Sequence, residues 1–237
     1  FNQYAQLHEW SVNNISDFWA AFWEFADIIH SKPYDEIIDD DSKMPGAHWF
    51  SGARLNFAEN LLRYRDDRVA LSFNGEGRDP VKLTYAELYD DVARLAKSLK
   101  DAGIQVGDRV VGFMPNMPQT IIAMLAAASL GATWSSCSPD FGIKGVLERF
   151  GQIKSRIIFA ANGYQFKGKS IDSLERISDI LKQLPSIEKV VVVPYTEQRA
   201  DIGNVPNAVH YADFISSESD LEIEFEQLPF EHPLYIM

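Results

Sequence analysis

Two lysines and two aromatic residues share the segment "NGYQFKGKSID", and these residue types suit a phosphate attached to a nucleotide base. Lys167 and Lys169 add positive charge to an acidic protein, and Tyr164 and Phe166 form an aromatic pair beside them. The segment is predicted to be a loop between a strand and a helix, with two glycines that let its backbone approach another group closely. The same pattern also fits a solvent-facing turn with ordinary lysines, so both interpretations stay open.

Cys137 is a second residue that could carry chemistry, because it lies at a predicted strand end in "WSSCSPDFG". A thiol becomes a nucleophile when a cation or base lies nearby, and no His or Lys lies close in sequence until Lys144. These surroundings favour a buried, unreactive cysteine. The five histidines are scattered, and the chain has no serine-hydrolase elbow, zinc motif or phosphate loop. We therefore assign no catalytic residue and no metal ligand.

The composition excludes several classes of protein. The chain has 237 residues, of which 46% are hydrophobic and 24% charged, as in ordinary globular proteins. Its formal net charge of -12 has the wrong sign for neutralising the phosphates of a nucleic acid. There is one cysteine, and no apolar run approaches the length of a membrane span. We expect a cytoplasmic protein with no nucleic-acid partner and no membrane span.

Residues 1–66 are predicted to form a helical and irregular N-terminal extension. The run "SDFWAAFWEFADIIH" places aromatic side chains at helical spacing, with Ser16 positioned to cap the first turn. We expect this aromatic face to pack on the rest of the protein. A second, short helix is predicted at residues 56–63. The composition changes at residues 65–68, which predicts a boundary between residues 1–66 and residues 67–237.

The second unit, residues 67–237, has the pattern of an α/β protein. Two strands joined by the turn "GEGRD" precede a long helix, which Thr84 and Glu87 open as a capping box and Gly103 ends. Four apolar strands then alternate with three helices, which predicts a doubly wound, mostly parallel sheet. Ligands of such sheets bind at the carboxyl ends of the strands, so the loops at Pro115, Ser136 and Asn162 are the candidate sites.

The last part of the chain is predicted to be a long connection with one further strand at residues 209–211. The chain ends on "FEHPLYIM", where a proline precedes a short β-prone apolar run. This run predicts the beginning of a buried strand.

Seven segments of the chain resemble those of acetoacetyl-CoA synthetases and occur in the same order. They are "LHEWSV", "WFSGARLNFAENLL", "LTYAEL", "GDRVVGFMPN", "LGATWSSCSPDFG", "GVLERFGQI" and "NGYQFKGKSID". These enzymes belong to the adenylate-forming family, and "WSSCSPDFG" is the segment that best separates them from acetyl-CoA synthetases. One departure is Ser51, where relatives usually have Pro.

The resemblance implies an AMP-forming ligase that uses ATP, Mg²⁺ and CoA. A carboxylate oxygen of acetoacetate attacks the α-phosphate of ATP and releases pyrophosphate, and the CoA thiol then attacks the acyl-adenylate and releases AMP. In this family a phosphate loop and a mobile C-terminal domain follow the segment that matches "PLYIM". We therefore expect the chain to be truncated before the phosphate loop, to lack the C-terminal part of its own protein, and to be inactive alone.

The resemblance also implies which residues bind CoA. In acetyl-CoA synthetases, two arginines in the segment matching "NGYQFKGKSI" contact the 3′-phosphate of CoA. One of them matches Lys169 and the other matches Phe166, so Lys167 is the neighbour that could supply the missing charge. Ser136 and Cys137 resemble a strand end near the CoA entrance.

Two other functions remain open. The protein could be a ligase of the same fold that acts on another short acid, such as acetate or propionate. It could also be a non-catalytic α/β binding module. Separately, an apolar sheet edge left exposed where the rest of the sheet should continue predicts self-association between copies.

Overall fold

Eight helices and thirteen strands make up the chain, whose structure, a computed structural model, describes residues 1–237. The helices are α1 (Tyr4–Asn13), α2 (Ile15–Phe25), α3 (Phe57–Leu61), α4 (Tyr85–Asp101), α5 (Pro118–Ser129), α6 (Ile143–Ile153), α7 (Leu174–Leu181) and α8 (Tyr211–Phe214). The strands are β1 (Glu36–Ile38), β2 (Trp49–Ser51), β3 (Arg54–Leu55), β4 (Val69–Phe73), β5 (Val81–Thr84), β6 (Arg109–Phe113), β7 (Thr133–Cys137), β8 (Ile157–Ala161), β9 (Gly163–Phe166), β10 (Lys169–Asp172), β11 (Lys189–Val193), β12 (Ala208–His210) and β13 (Leu228–Pro229).

A five-stranded parallel sheet forms the centre of the protein, in the order β12-β11-β8-β6-β7. Its four longer strands are the apolar strands that the sequence predicts. The fifth, β12, overlaps the strand predicted at 209–211 and begins one residue earlier. Strand β8 is buried at all five positions. A strand buried on both faces needs helices on both sides, and the structure provides them.

Helices cover the two faces of the sheet separately. On one face α4 and α5 pack with alternate strand residues, such as Val191 and Val193 of β11. On the other face α6 and α7 pack with the intervening residues, such as Val190 and Val192. The alternation follows from the two-residue period of a strand. The doubly wound α/β fold predicted from the sequence is therefore confirmed.

The start and the end of α4 follow the predicted local chemistry. The Glu87 backbone N–H donates to Thr84 Oγ1 at 3.2 Å, and Glu87 Oε2 accepts from the Thr84 backbone N–H at 2.8 Å. Gly103 follows the helix with φ of 81°, a left-handed conformation that glycine adopts without a steric penalty. The capping box and the glycine stop are both confirmed.

The aromatic helix differs from its prediction. Asn14, not Ser16, is the N-cap residue of α2, and the helix ends at Phe25. Only Trp23 of this helix is buried, where it stacks on Phe50 with ring centroids 4.8 Å apart. Phe25 is 87% exposed. Trp19 also contacts Trp49 edge to face, with ring centroids 5.9 Å apart, and half-buried Phe18 contacts Trp10 at 6.0 Å. The aromatic face therefore packs on the rest of the protein as predicted, but Trp23 is the one residue of α2 that is fully buried.

The end of the chain lies beside edge strand β7. The Trp134 backbone N–H donates to Leu234 O at 3.0 Å, and the Ile236 N–H donates to Trp134 O at 2.9 Å. These bonds form one parallel bridge, between Trp134 and Tyr235. Tyr235 is 39% exposed, so this segment begins a parallel pairing but is not the buried strand that was predicted. No helix in the chain has both the length and the apolar character needed to cross a membrane.

Candidate functional site

Successive strands are added to the sheet in opposite directions from its centre. Strands β6 and β8 lie side by side, but β6 leads outward to β7 and β8 leads outward to β11 on the other side. The helices that follow such strands lie on opposite faces, which leaves a crevice at the carboxyl ends of the two strands. The predicted loops at Pro115 and Asn162 flank this crevice, whereas the loop at Ser136 belongs to edge strand β7.

Asn162 fixes the backbone at one side of the crevice. Its side chain is buried, and Oδ1 accepts hydrogen bonds from the backbone N–H groups of Tyr195 at 2.7 Å and Thr196 at 2.9 Å. Its Nδ2 donates to the Glu197 carbonyl at 2.7 Å. The segment after β11 is thus tied to the end of β8. Sequence reasoning named only the position of Asn162, although an amide directly after an apolar strand is a signal for such a role.

The segment that carries the candidate lysines is an antiparallel hairpin, not the loop that was predicted. Strands β9 and β10 pair from Gly163 opposite Asp172 to Phe166 opposite Lys169. Lys167 and Gly168 form the two-residue turn, with φ of 51° and 76°. Positive φ at both positions is the mark of a type I′ turn, whose twist matches that of the flanking strands. The pattern was missed because a Lys-Gly turn is less typical than Asn-Gly.

The hairpin brings four of the predicted residues together. Tyr164 and Phe166 lie on one face of β9, because alternate residues of a strand share a face. Lys169 is the direct cross-strand partner of Phe166 and lies on the same face. Lys167, at the tip, places its Nζ 5.2 Å from the centroid of the Phe166 ring. Phe166 and both lysines are exposed, so this face is open to a ligand.

A carboxylate from another part of the chain contacts the tip of this hairpin. The Gly168 backbone N–H donates to Oε1 of Glu76, a residue in the turn between β4 and β5. Neither sequence periodicity nor spacing relates two turns so far apart, and the sequence therefore gave no signal for this contact.

Ser136 and Cys137 do not join the hairpin. Both lie on β7, which β6 separates from β8, and two strand spacings in a sheet amount to about 10 Å. Ser136 is exposed, whereas Cys137 is 3% exposed and packs among residues of α6 and α7. Burial raises the pKa of the Cys137 thiol, and nearby Arg149 opposes that shift only in part. The expectation of a buried cysteine is confirmed.

Metal-ligating side chains and cavities elsewhere in the chain are other possible sites. No group of three or more His, Cys, Asp or Glu side chains is arranged to hold a metal ion. A cavity of about 670 Å³ lies between α2, α3 and residues 228–234. Its walls are mainly apolar and include Phe22, Phe57, Leu61, Phe230 and Leu234.

Comparisons with known proteins agree with this architecture. The family profile described as AMP-binding enzyme matches residues 57–237, and the profile described as acetyl-coenzyme A synthetase N-terminus matches residues 4–61. A solved structure, the acetoacetyl-CoA synthetase from Streptomyces lividans, superimposes with a TM-score of 0.91 at 38% identity. The match covers 100% of this chain and 36% of that one.

Curated relatives give the same result. The chain is 47% identical to an acetoacetyl-CoA synthetase of Macaca fascicularis over 242 residues, covering 99% of this chain and 36% of the relative. It is 44% identical to an acetoacetyl-coenzyme A synthetase of Rhizobium meliloti, covering 100% and 36%. A malonamoyl-CoA synthetase of Penicillium aethiopicum is 36% identical, with 99% and 34% covered.

The chain therefore spans about a third of the length of the relatives it matches. The resemblance to acetoacetyl-CoA synthetases and the adenylate-forming fold, both expected from the sequence, are confirmed. The match to the AMP-binding profile extends over most of the chain, including the whole parallel sheet. On this basis the chain belongs to the family of AMP-binding enzymes.

Proposed function

We propose that this chain is the N-terminal portion of an AMP-forming acid–CoA ligase whose acid is acetoacetate. The observation that carries this proposal is identity of 44–47% along the whole chain with acetoacetyl-CoA synthetases from animals and from a bacterium. The reaction would convert ATP, acetoacetate and CoA into AMP, pyrophosphate and acetoacetyl-CoA. The rest of such an enzyme would be the main partner of this chain.

The substrates of the proposed reaction are ATP, acetoacetate and CoA. We propose that the whole enzyme uses Mg²⁺ together with ATP. Residues 1–237 contain no group of three or more His, Cys, Asp or Glu side chains arranged to hold a metal ion, and we assign no Mg²⁺ ligand to them. The free, buried Cys137 suits a reducing compartment, and we infer a cytoplasmic enzyme.

A second candidate is a ligase of the same fold for another short acid. The 36% identity with a malonamoyl-CoA synthetase favours keeping this alternative. The test is AMP formation by the whole enzyme with acetoacetate, acetate, propionate and malonamate as separate substrates. Acetoacetate is expected to give the highest kcat/KM, and a higher value for any other acid would overturn the first proposal.

The hairpin of β9 and β10 is the part of this chain for which we propose a ligand. Its exposed face presents Lys169 beside Phe166, with Lys167 at the tip and Tyr164 on the same face. Lysines supply charge to a phosphate, and aromatic rings offer a surface for an adenine base. These residues would bind the 3′-phosphorylated nucleotide of CoA.

Ser136 and Cys137 belong to the same proposal, as residues near the entrance for CoA. The exposed hydroxyl of Ser136 would contact the CoA chain at the carboxyl end of β7, one strand away from the crevice. The buried side chain of Cys137 could contribute only its backbone.

Removing both lysine charges tests the CoA site. In the whole enzyme, the double substitution Lys167→Ala with Lys169→Ala should raise the KM for CoA at least about tenfold, because charge-assisted contacts to the phosphate are lost. The KM for 3′-dephospho-CoA and for acetoacetate should stay unchanged. Lys182→Ala, an exposed lysine at the end of α7, is the matched control. An unchanged KM for CoA in the double variant would refute the site.

Two further proposals concern the domain organisation and the self-association of the chain. Residues 1–66 would be the N-terminal extension and residues 67–237 the first α/β subdomain, and limited proteolysis near residues 65–68 tests this division.

Exposed apolar side chains, such as Phe25 and Phe230, and the sheet edge at β7 would promote pairing between copies of the isolated chain. Light scattering that showed only monomers at high concentration would exclude that pairing.

A further inference from the structure

The turn between β4 and β5 meets the turn between β9 and β10 through one carboxylate. Glu76 is exposed, and its Oε1 accepts the backbone N–H of Gly168. Gly168 lies between Lys167 and Lys169 in sequence, so Glu76 brings a negative charge to the centre of the only lysine pair on this hairpin. The proposed function does not require an acid at this place.

The turn that carries Glu76 is positioned by contacts with residues that follow β8 and β11. Arg78, in the same turn, donates to the Tyr195 carbonyl at 3.0 Å and lies 4.5 Å above the Tyr195 ring. The Tyr195 N–H in turn donates to Asn162 Oδ1 at 2.7 Å. Strand β9 begins directly after Asn162, so both turns are anchored to the same residue. The contact between Glu76 and Gly168 therefore joins two turns that are each held in place by other contacts.

The chemistry of the contact resembles that of a bound phosphate. A backbone N–H that donates to a carboxylate oxygen makes the interaction that it would make with a phosphate oxygen. Lys167 and Lys169 form no ion pair with Glu76 or any other acid of the chain. The lysines thus keep their charges available, while Glu76 holds the N–H between them.

We propose that Glu76 is an internal competitor for the CoA phosphate. The 3′-phosphate must displace the carboxylate from the Gly168 N–H and bind the lysines against its repulsion. This inference rests on the proposed CoA site. Glu76 would weaken CoA binding while leaving analogues without the 3′-phosphate unaffected, and it would therefore set how strongly the enzyme prefers CoA to 3′-dephospho-CoA.

The test compares two neutral variants and two ligands in the whole enzyme. Glu76→Gln keeps the size and the acceptor oxygen but removes the charge, and Asp79→Asn removes the same charge from an exposed residue of the same turn. The dissociation constants of CoA and 3′-dephospho-CoA are measured by isothermal titration calorimetry at low salt. Glu76→Gln should tighten CoA binding about two- to fivefold, the range of an exposed charge interaction, and leave 3′-dephospho-CoA unchanged. Asp79→Asn should change the binding of CoA less than Glu76→Gln does.

Three results would contradict the inference. CoA binding that weakens in Glu76→Gln would show that Glu76 orders the hairpin instead of competing with the ligand. Equal changes for both ligands, or no change for either, would show that the 3′-phosphate does not meet Glu76. The double lysine variant separates the two proposals: if it abolishes the preference for CoA over 3′-dephospho-CoA while Glu76→Gln has no effect, only the role of Glu76 is wrong. If the lysine variant keeps the preference, the CoA site itself is wrong.

Discussion

Asn56 Nδ2 donates a hydrogen bond to the backbone carbonyl of Glu226 at 2.8 Å, although the two residues are 170 positions apart. The same amide group donates to the carbonyls of Ala128 and Ser129 at the end of α5, at 3.1 and 3.2 Å. Its Oδ1 accepts from the Ala58 N–H at 2.8 Å and so caps α3. One buried side chain thus connects the N-terminal segment, a core helix and the C-terminal segment.

Substituting Asn56 is expected to lower the stability of the chain. Asn56→Ala should reduce the free energy of unfolding by about 2–4 kcal/mol, because a helix cap is lost and buried carbonyls lose their donor. Asn56→Ser keeps a capping oxygen but loses the amide group that donates to the three carbonyls, and we expect an intermediate loss. Urea denaturation measures both, with exposed Asn74→Ala as the control. Equal stability of Asn56→Ala and Asn74→Ala would show that the three segments are held by other contacts.

The sequence predicted the elements whose causes are local. The capping box of Thr84 and Glu87 spans three residues, and the apolar runs of β8 and β11 reveal strands that are buried on both faces. It did not predict features that depend on distant partners. The burial of Trp23 requires Phe50, and the contact at Gly168 requires Glu76. The lysines of the candidate site could be named from their type, but the position of Lys169 beside Phe166 required the hairpin register.

Gly163 is predicted to be irreplaceable at the start of the hairpin. A Cβ there would lie 2.5 Å from the Ile171 carbonyl oxygen, so Gly163→Ala should lower the free energy of unfolding by roughly 1–3 kcal/mol. Gly145, inside α6, is the matched control, because its Cβ would have no contact closer than 3.4 Å. Gly145→Ala should stabilise the chain by about 0.5–1 kcal/mol through helix propensity. Thermal unfolding of the two variants should therefore shift in opposite directions, and a stabilising Gly163→Ala would contradict the geometry.

The ion pair between Arg156 and Glu188 predicts part of the pH dependence of stability. Arg156 Nε and Nη2 each lie 2.8 Å from a Glu188 carboxylate oxygen, and these bonds lower the pKa of Glu188 below its ordinary value of 4.5. A lowered folded-state pKa gives stability that is present above pH 4.5 and is lost as the pH falls through the folded pKa.

Urea midpoints measured between pH 7 and pH 3 test this dependence. The decline below pH 4.5 should be shallower in Glu188→Gln than in the original chain, because the variant has no proton to bind at that position. Asn74→Ala, at an exposed position and with no change in an ionisable group, should keep the original slope. Identical slopes in the Glu188 variant and the original chain would show that the pair does not affect folding.

Cys137 should react slowly with thiol reagents while the chain is folded. It is the only cysteine, so a disulfide reagent such as dithionitrobenzoate reports on this residue alone. Burial both restricts access to Sγ and raises the pKa of the thiol, so little thiolate is present at pH 8. We expect the reaction in buffer to be slower by about a hundredfold or more than in urea, since it requires local opening of the core. Equal rates in buffer and in urea would mean that Cys137 is accessible at the strand end, which would restore its side chain as a candidate contact for CoA.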